Sequence, residues 1–246
     1  MTYLALSYGG GVDSTALAIW YVERGELPIV VHAPMPDWPE TVAFVATFRA
    51  WWDAHGGRFI EVTNEKDGPL DDYCIRTGHM PMRSFRWCTD RWKVQPVKRF
   101  LDAERAGRDV TLAIGIDADE PHRARVNDRD PKWMHKVWPL VEHDIGRDEC
   151  EAIIRRAGLP VPPKSGCYFC PFQRIGEWRR LYREHPDLWQ RAEAVEAADP
   201  GSLKEGRWGL VNSGVRLPVL ARRFDGELAQ CMLPMGGETP CGCFDG

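Results

Sequence analysis

Three consecutive glycines between two apolar runs leave the start of this chain few ways to fold. Tyr3, Leu4, Ala5 and Leu6 form an apolar run of strand length, and Ala16, Leu17, Ala18, Ile19, Trp20 and Tyr21 read as a helix that stops at Gly25. Between them stand Ser7, Tyr8, Gly9, Gly10, Gly11, Val12, Asp13, Ser14 and Thr15. The order is strand, glycine loop, helix N-terminus. Glycine admits positive φ and close backbone approach, and free N–H groups at a helix start favour an anion. Phosphate is the expected guest.

The rest of the chain repeats the alternation. Residues 27–32 read as a second strand, 39–55 as a helix with Val42, Phe44, Val45, Phe48 and Trp52 at helical spacing, and 58–63 as a third strand. Residues 64–86 are polar and rich in Gly, Pro and Met, and read as irregular; 89–106 has helical period and stops at Gly107; 109–116 is the next strand. Such alternation predicts parallel pairing with right-handed crossovers. The expected class is α/β: an open, mostly parallel twisted sheet with helices on both faces, Rossmann-like, plus a small helical C-terminal appendage. The expected division is a nucleotide-binding part over 1–145, a cysteine motif with helices over 146–200, and over 201–246 a short hairpin at 211–224 followed by a cysteine-bearing tail. In open sheets of this kind ligands sit at the carboxyl ends of the strands.

Composition narrows the function classes. A 246-residue chain that is 43% hydrophobic can bury one sizeable core, and a formal charge of −4 argues against a broadly basic surface coating nucleic acid. No run approaches the roughly 20 apolar residues that span a bilayer, and the first strand begins without a charged segment or cleavage site, so the expected location is the cytoplasm, with no membrane partner. In that setting the eight cysteines are expected to be metal ligands or redox thiols rather than disulfides.

The loop at 7–15 lacks the Gly-Lys-Ser/Thr end of a Walker loop and the G-x-G-x-x-G dinucleotide fingerprint. Its Gly10, Gly11, Val12, Asp13 and Ser14 resemble the Ser-Gly-Gly-x-Asp-Ser loop of the ATP pyrophosphatase and adenine nucleotide alpha hydrolase superfamily, whose sheet is of the HUP type. Gly9 stands where that family usually has Ser, and the nearest upstream hydroxyl is Ser7. Further segments are similar to the phosphoadenosine phosphosulfate reductase branch. Pro39, Glu40 and Thr41 match its helix start, although Pro preset for a first turn and Glu facing the helix dipole explain the same residues. Cys88, Thr89, Lys93 and Pro96 match its Cys-Thr-x-x-x-Lys-x-x-Pro segment, and Gly115, Ile116, Asp117 and Arg123 its Gly-Ile, acidic, Arg segment.

The resemblance implies an ATP site with magnesium near Asp13. Ser7, Gly9, Gly10, Gly11, Asp13, Ser14, Thr15 and His32 are its expected nucleotide-binding residues, and Asp13, Lys93 and Arg123 its expected catalytic ones. Lys93 would face phosphate, and the Arg123 fork suits a phosphate or sulfate.

The second chemical signal is Cys167-Tyr168-Phe169-Cys170. Two cysteines so spaced can grip one metal or cluster but need further ligands. Cys88, placed before a helix where a thiolate is stabilised, and Cys150, on the expected helix 147–157, are the candidates, with Cys74 as substitute. Spacing leaves zinc and a four-iron four-sulfur cluster open; the resemblance implies the cluster. Trp178, Leu181, Tyr182, Leu188 and Trp189 recur at helical period and read as core, and Cys231, Cys241 and Cys243 are either mobile redox thiols or exposed ones.

Taken together, the expected function is adenylation of a substrate with release of pyrophosphate, for sulfur transfer. The alternatives are a sulfonucleotide reductase, an amidating enzyme of the deazaguanine synthase kind, and a non-catalytic nucleotide-binding subunit of a nucleic-acid modification or defence complex. Expected partners are a nucleotide, a sulfur donor such as a cysteine desulfurase, and nucleic acid through a partner protein; a homodimer is compatible with this reading.

Overall fold

The computed structural model describes residues 3–127, 130–200, 209–211 and 214–232, with side chains up to residue 226. Five strands, β1 (Tyr3–Tyr8), β2 (Ile29–His32), β3 (Phe59–Glu61), β4 (Val110–Ile114) and β5 (Met134–Val137), form one sheet in the order β3-β2-β1-β4-β5. Every pairing is parallel; Ala5 of β1 lies opposite Ile29 of β2 on one side and Leu112 of β4 on the other. The chain builds outward from β1 in one direction and then returns to build in the other. The point of reversal, between β1 and β4, opens a crevice at their carboxyl ends.

Strand periodicity sorts side chains between the two faces. Leu6, Tyr8, Val30 and Ala113 turn toward α1 (Val12–Val22), α2 (Pro39–Ala54), α6 (Pro139–Glu142) and α7 (Arg147–Arg156). Tyr3, Ala5, Val31 and Leu112 turn the other way, where they meet Val97 and Leu101 of α5 (Gln95–Glu104). Helix α1 is covered on nearly all sides, with Ala16, Leu17 and Ala18 fully buried, because the sheet lies on one flank and Cys150, Ile153 and Ile154 of α7 share its core. A helix apolar all round is the kind that sits inside a core.

A second core gathers residues distant in sequence. Leu70 and Cys74 of α3 (Leu70–Thr77) pack with Trp38, Trp92, Tyr168 and Phe169, and with α8 (Ile175–Glu184), α9 (Pro186–Ala198) and α10 (Leu217–Met232). Helix α3 falls in the stretch expected to be irregular. It is short, opened by Pro69 and two acidic residues in its first turn, and closed by Gly78 at φ 68°; of its apolar residues only Leu70 and Cys74, one turn apart, are buried, with Tyr73 and Ile75 partly so. The expected hairpin at 211–224 is replaced by α10, since Leu217, Leu220 and Phe224 fall on one helical face and are buried against α8 and α9. The boundary expected at 145 does not divide the cores either: α7 belongs with the sheet, and α3 with the helical group.

A short turn, α4 (Trp87–Thr89), runs through a π-helical turn at Asp90–Val94 straight into α5. The π turn carries Lys93, and such insertions recur at functional sites. Edge strand β5 was not read from the sequence, because His135 and Lys136 make it polar, as edge strands often are. Among the described residues no helix is long and apolar enough to cross a membrane.

Candidate active site at the strand crossover

The glycine loop leaves β1 at the crevice. Gly10 has φ 70°, and a β-carbon there would stand 2.9 Å from Val45 Cγ2. Gly11 caps α1 without a side-chain partner, so the first amides of the helix have no side-chain cap of their own. The loop is tied internally: the Gly9 amide donates to Ser14 Oγ (3.2 Å), Ser14 Oγ donates to the Gly11 carbonyl (3.2 Å), and Thr15 Oγ1 does the same at 2.9 Å. Thr15 is fully buried and also bonds the Tyr8 hydroxyl at 3.2 Å. His32, buried, reaches the Tyr8 carbonyl through Nδ1 (3.1 Å), and burial holds its imidazole below the usual histidine range. Thr15 and His32 therefore brace the loop from behind.

Gly115, just past β4, crosses the start of α1; a β-carbon there would lie 2.6 Å from the Ser14 amide nitrogen. This crossing brings Asp117 to Asp13. Burial first, and Asp117 second, push the Asp13 carboxyl above the usual carboxylate range, and Arg147 pulls it back. Arg147 Nη1 contacts Asp13 Oδ1 and lies 3.8 Å from Asp117 Oδ2. Arg123 stands further out, exposed and ion-paired with Glu120, and adds a weaker pull on Asp13. Sequence reasoning quoted Asp117 without giving it a role and did not single out Arg147, which follows 30 residues after the motif segment it joins and belongs to no recognisable pattern.

Behind the loop lies a cavity of about 140 Å³ lined by Ser7, Tyr8, Gly9, Ala33, Ile114 and Lys93, among others. Lys93 faces more than the cavity: its charge eases ionisation of Asp37 and of the Cys167 thiol, and opposes protonation of His32. Asp37 is itself bridged to Cys167 across a single antiparallel β-bridge, and the Tyr168 amide donates to the Pro36 carbonyl at 2.9 Å. One lysine thus stands between the glycine loop and the Cys-x-x-Cys turn.

That turn is closed by the Cys170 amide donating to the Cys167 carbonyl (3.1 Å). Cys88 opposes ionisation of Cys74, Cys167 and Cys170 alike, which places it among them. Burial pushes the Cys74 thiol up to about 12 and raises Cys167 and Cys170 as well. All four are free thiols. Cys150 is not with them. It is fully buried in the sheet core on α7, where burial, then Asp13 and Asp117, push its thiol up to about 12. Helix α7 turns it inward against α1, and the thiol found with Cys88 is Cys74, carried in by helix α3. Cys231, Cys241 and Cys243 lie outside the residues described with side chains.

Among the described residues only Glu40, Glu184 and His185 bring three ligand atoms within 4.8 Å of one another, and Arg180 pairs with both glutamates there, so that group is an ion-pair network. No three of the four thiols approach so closely. Tetrahedral zinc would hold thiolates about 3.8 Å apart, given a Zn–S bond of about 2.3 Å.

No family model matches the chain. A protein of Methanocaldococcus jannaschii, uncharacterized, is 28% identical over 139 residues, 52% of this chain and 29% of the relative, so the chain spans under a third of that relative's length. The crystal structure of phosphoadenylyl-sulfate reductase from Candida auris, in a phosphate complex, matches with a TM-score of 0.50 at 12% identity, over 66% of this chain and 76% of that one. This chain shares the fold of that reductase. The U34-tRNA thiolase NcsA from Methanococcus maripaludis, solved with its [4Fe-4S] cluster, matches with a TM-score of 0.49 at 17% identity, over 100% of this chain and 79% of that one.

Proposed function

We propose that this chain is an enzyme of the ATP pyrophosphatase type, in its reductase-like branch, that adenylates an acceptor and opens it to sulfur. The observation that carries the reading is the position of Lys93, lining the cavity beside Gly9 while its charge reaches Cys167. Its charge links a phosphate-type loop to a thiol set.

In this reading Gly10, Gly11, Ser14 and the α1 N-terminus bind the β- and γ-phosphates, with magnesium near Asp13. An acceptor oxygen attacks the α-phosphorus, the bond to the β-phosphate oxygen breaks, and pyrophosphate leaves. A sulfur nucleophile then displaces AMP, which departs with that oxygen. Lys93 neutralises charge developing on the phosphoryl oxygens, and most of the catalysis is positioning and fixed charge. Cys74, Cys88, Cys167 and Cys170 supply a four-thiolate donor set of the kind that holds an iron–sulfur cluster or zinc, and the likeness to the reductase branch favours the cluster. When bound, that group supplies a place to hold sulfur beside the acceptor; a cysteine desulfurase is a suitable source of the sulfur.

The test is incubation with ATP, magnesium and sulfide while pyrophosphate and AMP are followed, for the wild type and Lys93→Ala. Pyrophosphate release lost in Lys93→Ala supports the reading. Sulfite released from phosphoadenylyl sulfate without pyrophosphate would make the chain a sulfonucleotide reductase, and tight ATP binding without turnover would make it a nucleotide-binding subunit.

A further inference from the structure

The corner of the crevice nearest the glycine loop holds three acids: Asp13 in the first turn of α1, and Asp117 and Asp119 in the loop after β4. An anion-binding loop so placed faces a difficulty, because a polyphosphate entering it meets fixed negative charge. Asp117 and Asp13 are nearly covered, with side-chain exposures of 5% and 16%, whereas Arg147 retains 45%. The guanidinium therefore lies on the solvent side of the two acids, at the first turn of α1. Its main chain is seated as well: the Arg147 amide donates to Asp119 Oδ2 at 2.7 Å, and a β-carbon on neighbouring Gly146 would stand 3.1 Å from the same carboxylate oxygen. Helix α7 is thus anchored on the acidic loop with its first side chain directed at Asp13.

We propose that Arg147 is the residue that makes this loop accept a polyphosphate, and that it is a movable one. Without nucleotide it neutralises Asp13 and bridges toward Asp117. A guanidinium offers five N–H donors in a planar fork, so the groups not engaged by Asp13 remain available to phosphate oxygens. With a triphosphate in the loop, the fork turns from the carboxylate to the β- and γ-phosphates, leaving Asp13 free for the cation that accompanies them. No bond is made or broken; one ion pair is exchanged for another. This inference rests on the nucleotide reading above and adds to it that discrimination between tri- and monophosphate resides on α7, outside the glycine motif.

Calorimetric titration of the purified chain with Mg·ATP and with AMP separates the two ideas. The wild type is expected to bind Mg·ATP more tightly than AMP. Arg147→Ala should weaken Mg·ATP by about 10- to 100-fold, the scale of one or two lost charge-assisted hydrogen bonds, and change AMP by less than about twofold. Arg147→Lys should recover part of the loss, since it keeps the charge but not the fork. Arg155→Ala, which removes an exposed pair with Glu151 on the same helix, should behave as wild type. Equal losses for ATP and AMP in Arg147→Ala and Arg147→Lys would mean that the residue only holds the fold together, and affinities for both left at the wild-type level would remove it from the site; either result overturns the proposal. A wild type that binds neither nucleotide would instead defeat the nucleotide reading itself.

Discussion

The Tyr168 hydroxyl donates to Asp71 Oδ2 at 2.9 Å, fastening the Cys-x-x-Cys turn to the helix that carries Cys74. Asp71 is buried and also receives the Arg191 guanidinium from α9, so three separate elements meet on one carboxylate. Removing only the hydroxyl, as in Tyr168→Phe, leaves the ion pair and should cost about 1 kcal/mol. Asp71→Ala strands the hydroxyl and leaves the arginine only Asp72, and should cost more, about 2–3 kcal/mol. Chemical denaturation of the two variants checks the order, and equal losses would contradict it.

Gly115 is required because backbone, not a side chain, occupies the space a β-carbon would need. Gly115→Ala should destabilise by about 1–3 kcal/mol, the usual range for overpacking, and impair nucleotide binding by displacing the first turn of α1. Gly25→Ala is the comparison. That residue has φ 73° with nothing within 4 Å of a β-carbon, so it should cost about 1 kcal/mol and spare binding. Thermal denaturation with and without Mg·ATP distinguishes the two effects.

The helical assignment of α10 makes Phe224 a core residue, 1% exposed among Tyr182, Trp189 and Arg179. Phe224→Ala should cost about 3–5 kcal/mol, whereas Ala on exposed Arg223 should change stability little. A Phe224→Ala loss below about 1 kcal/mol in urea titration would show that this helix does not pack where it is placed.

Glu196 is wholly buried and accepts the amides of Leu210 (3.1 Å) and Leu217 (2.8 Å). Burial raises its pKa above the ordinary 4.5 despite those bonds. Between the ordinary and the raised value the folded chain holds more protons than the unfolded one, so stability must fall as pH rises through that window. Glu196→Gln, which cannot ionise, should flatten this part of the profile. Midpoints measured from pH 4 upward would contradict the assignment if the wild type gained stability relative to Glu196→Gln over the same interval.

Much of the sheet was legible because strands buried on both faces are written as apolar runs, and because Gly9, Gly10 and Gly11 mark a turn that few backbones other than glycine tolerate. What escaped notice has physical reasons. Helix α3 is two turns long and buries only Leu70 and Cys74 in a core made mostly by others, β5 is a polar edge strand, and α10 has the apolar spacing of a helix within a segment whose glycines and prolines read as turns. In the site, Asp13, Lys93 and Cys88 sit in recognisable patterns, whereas Arg147 reaches Asp13 only through the packing of α7 on α1. Cys150 misled for the same reason: its distance along the chain from Cys167 says nothing about which way α7 turns it.

The two cysteine sets make opposite demands on single variants. If the donors are Cys74, Cys88, Cys167 and Cys170, then Cys74→Ser should remove bound iron or zinc, and Cys150→Ser should retain it. The buried serine of Cys150→Ser should cost about 1–3 kcal/mol, as a hydroxyl without a hydrogen-bond partner does, so its lower melting temperature must be separated from any loss of metal. Metal analysis on anaerobically purified, folded protein does this directly. Alkylation of the metal-free native chain at pH 8 adds a second reading: Cys74 and Cys150, buried and pushed up to about 12, should react slowly, whereas Cys88 is partly open to the reagent. Retention of metal by Cys74→Ser together with its loss from Cys150→Ser would return the fourth ligand to α7 and require that helix to rotate from its place against α1.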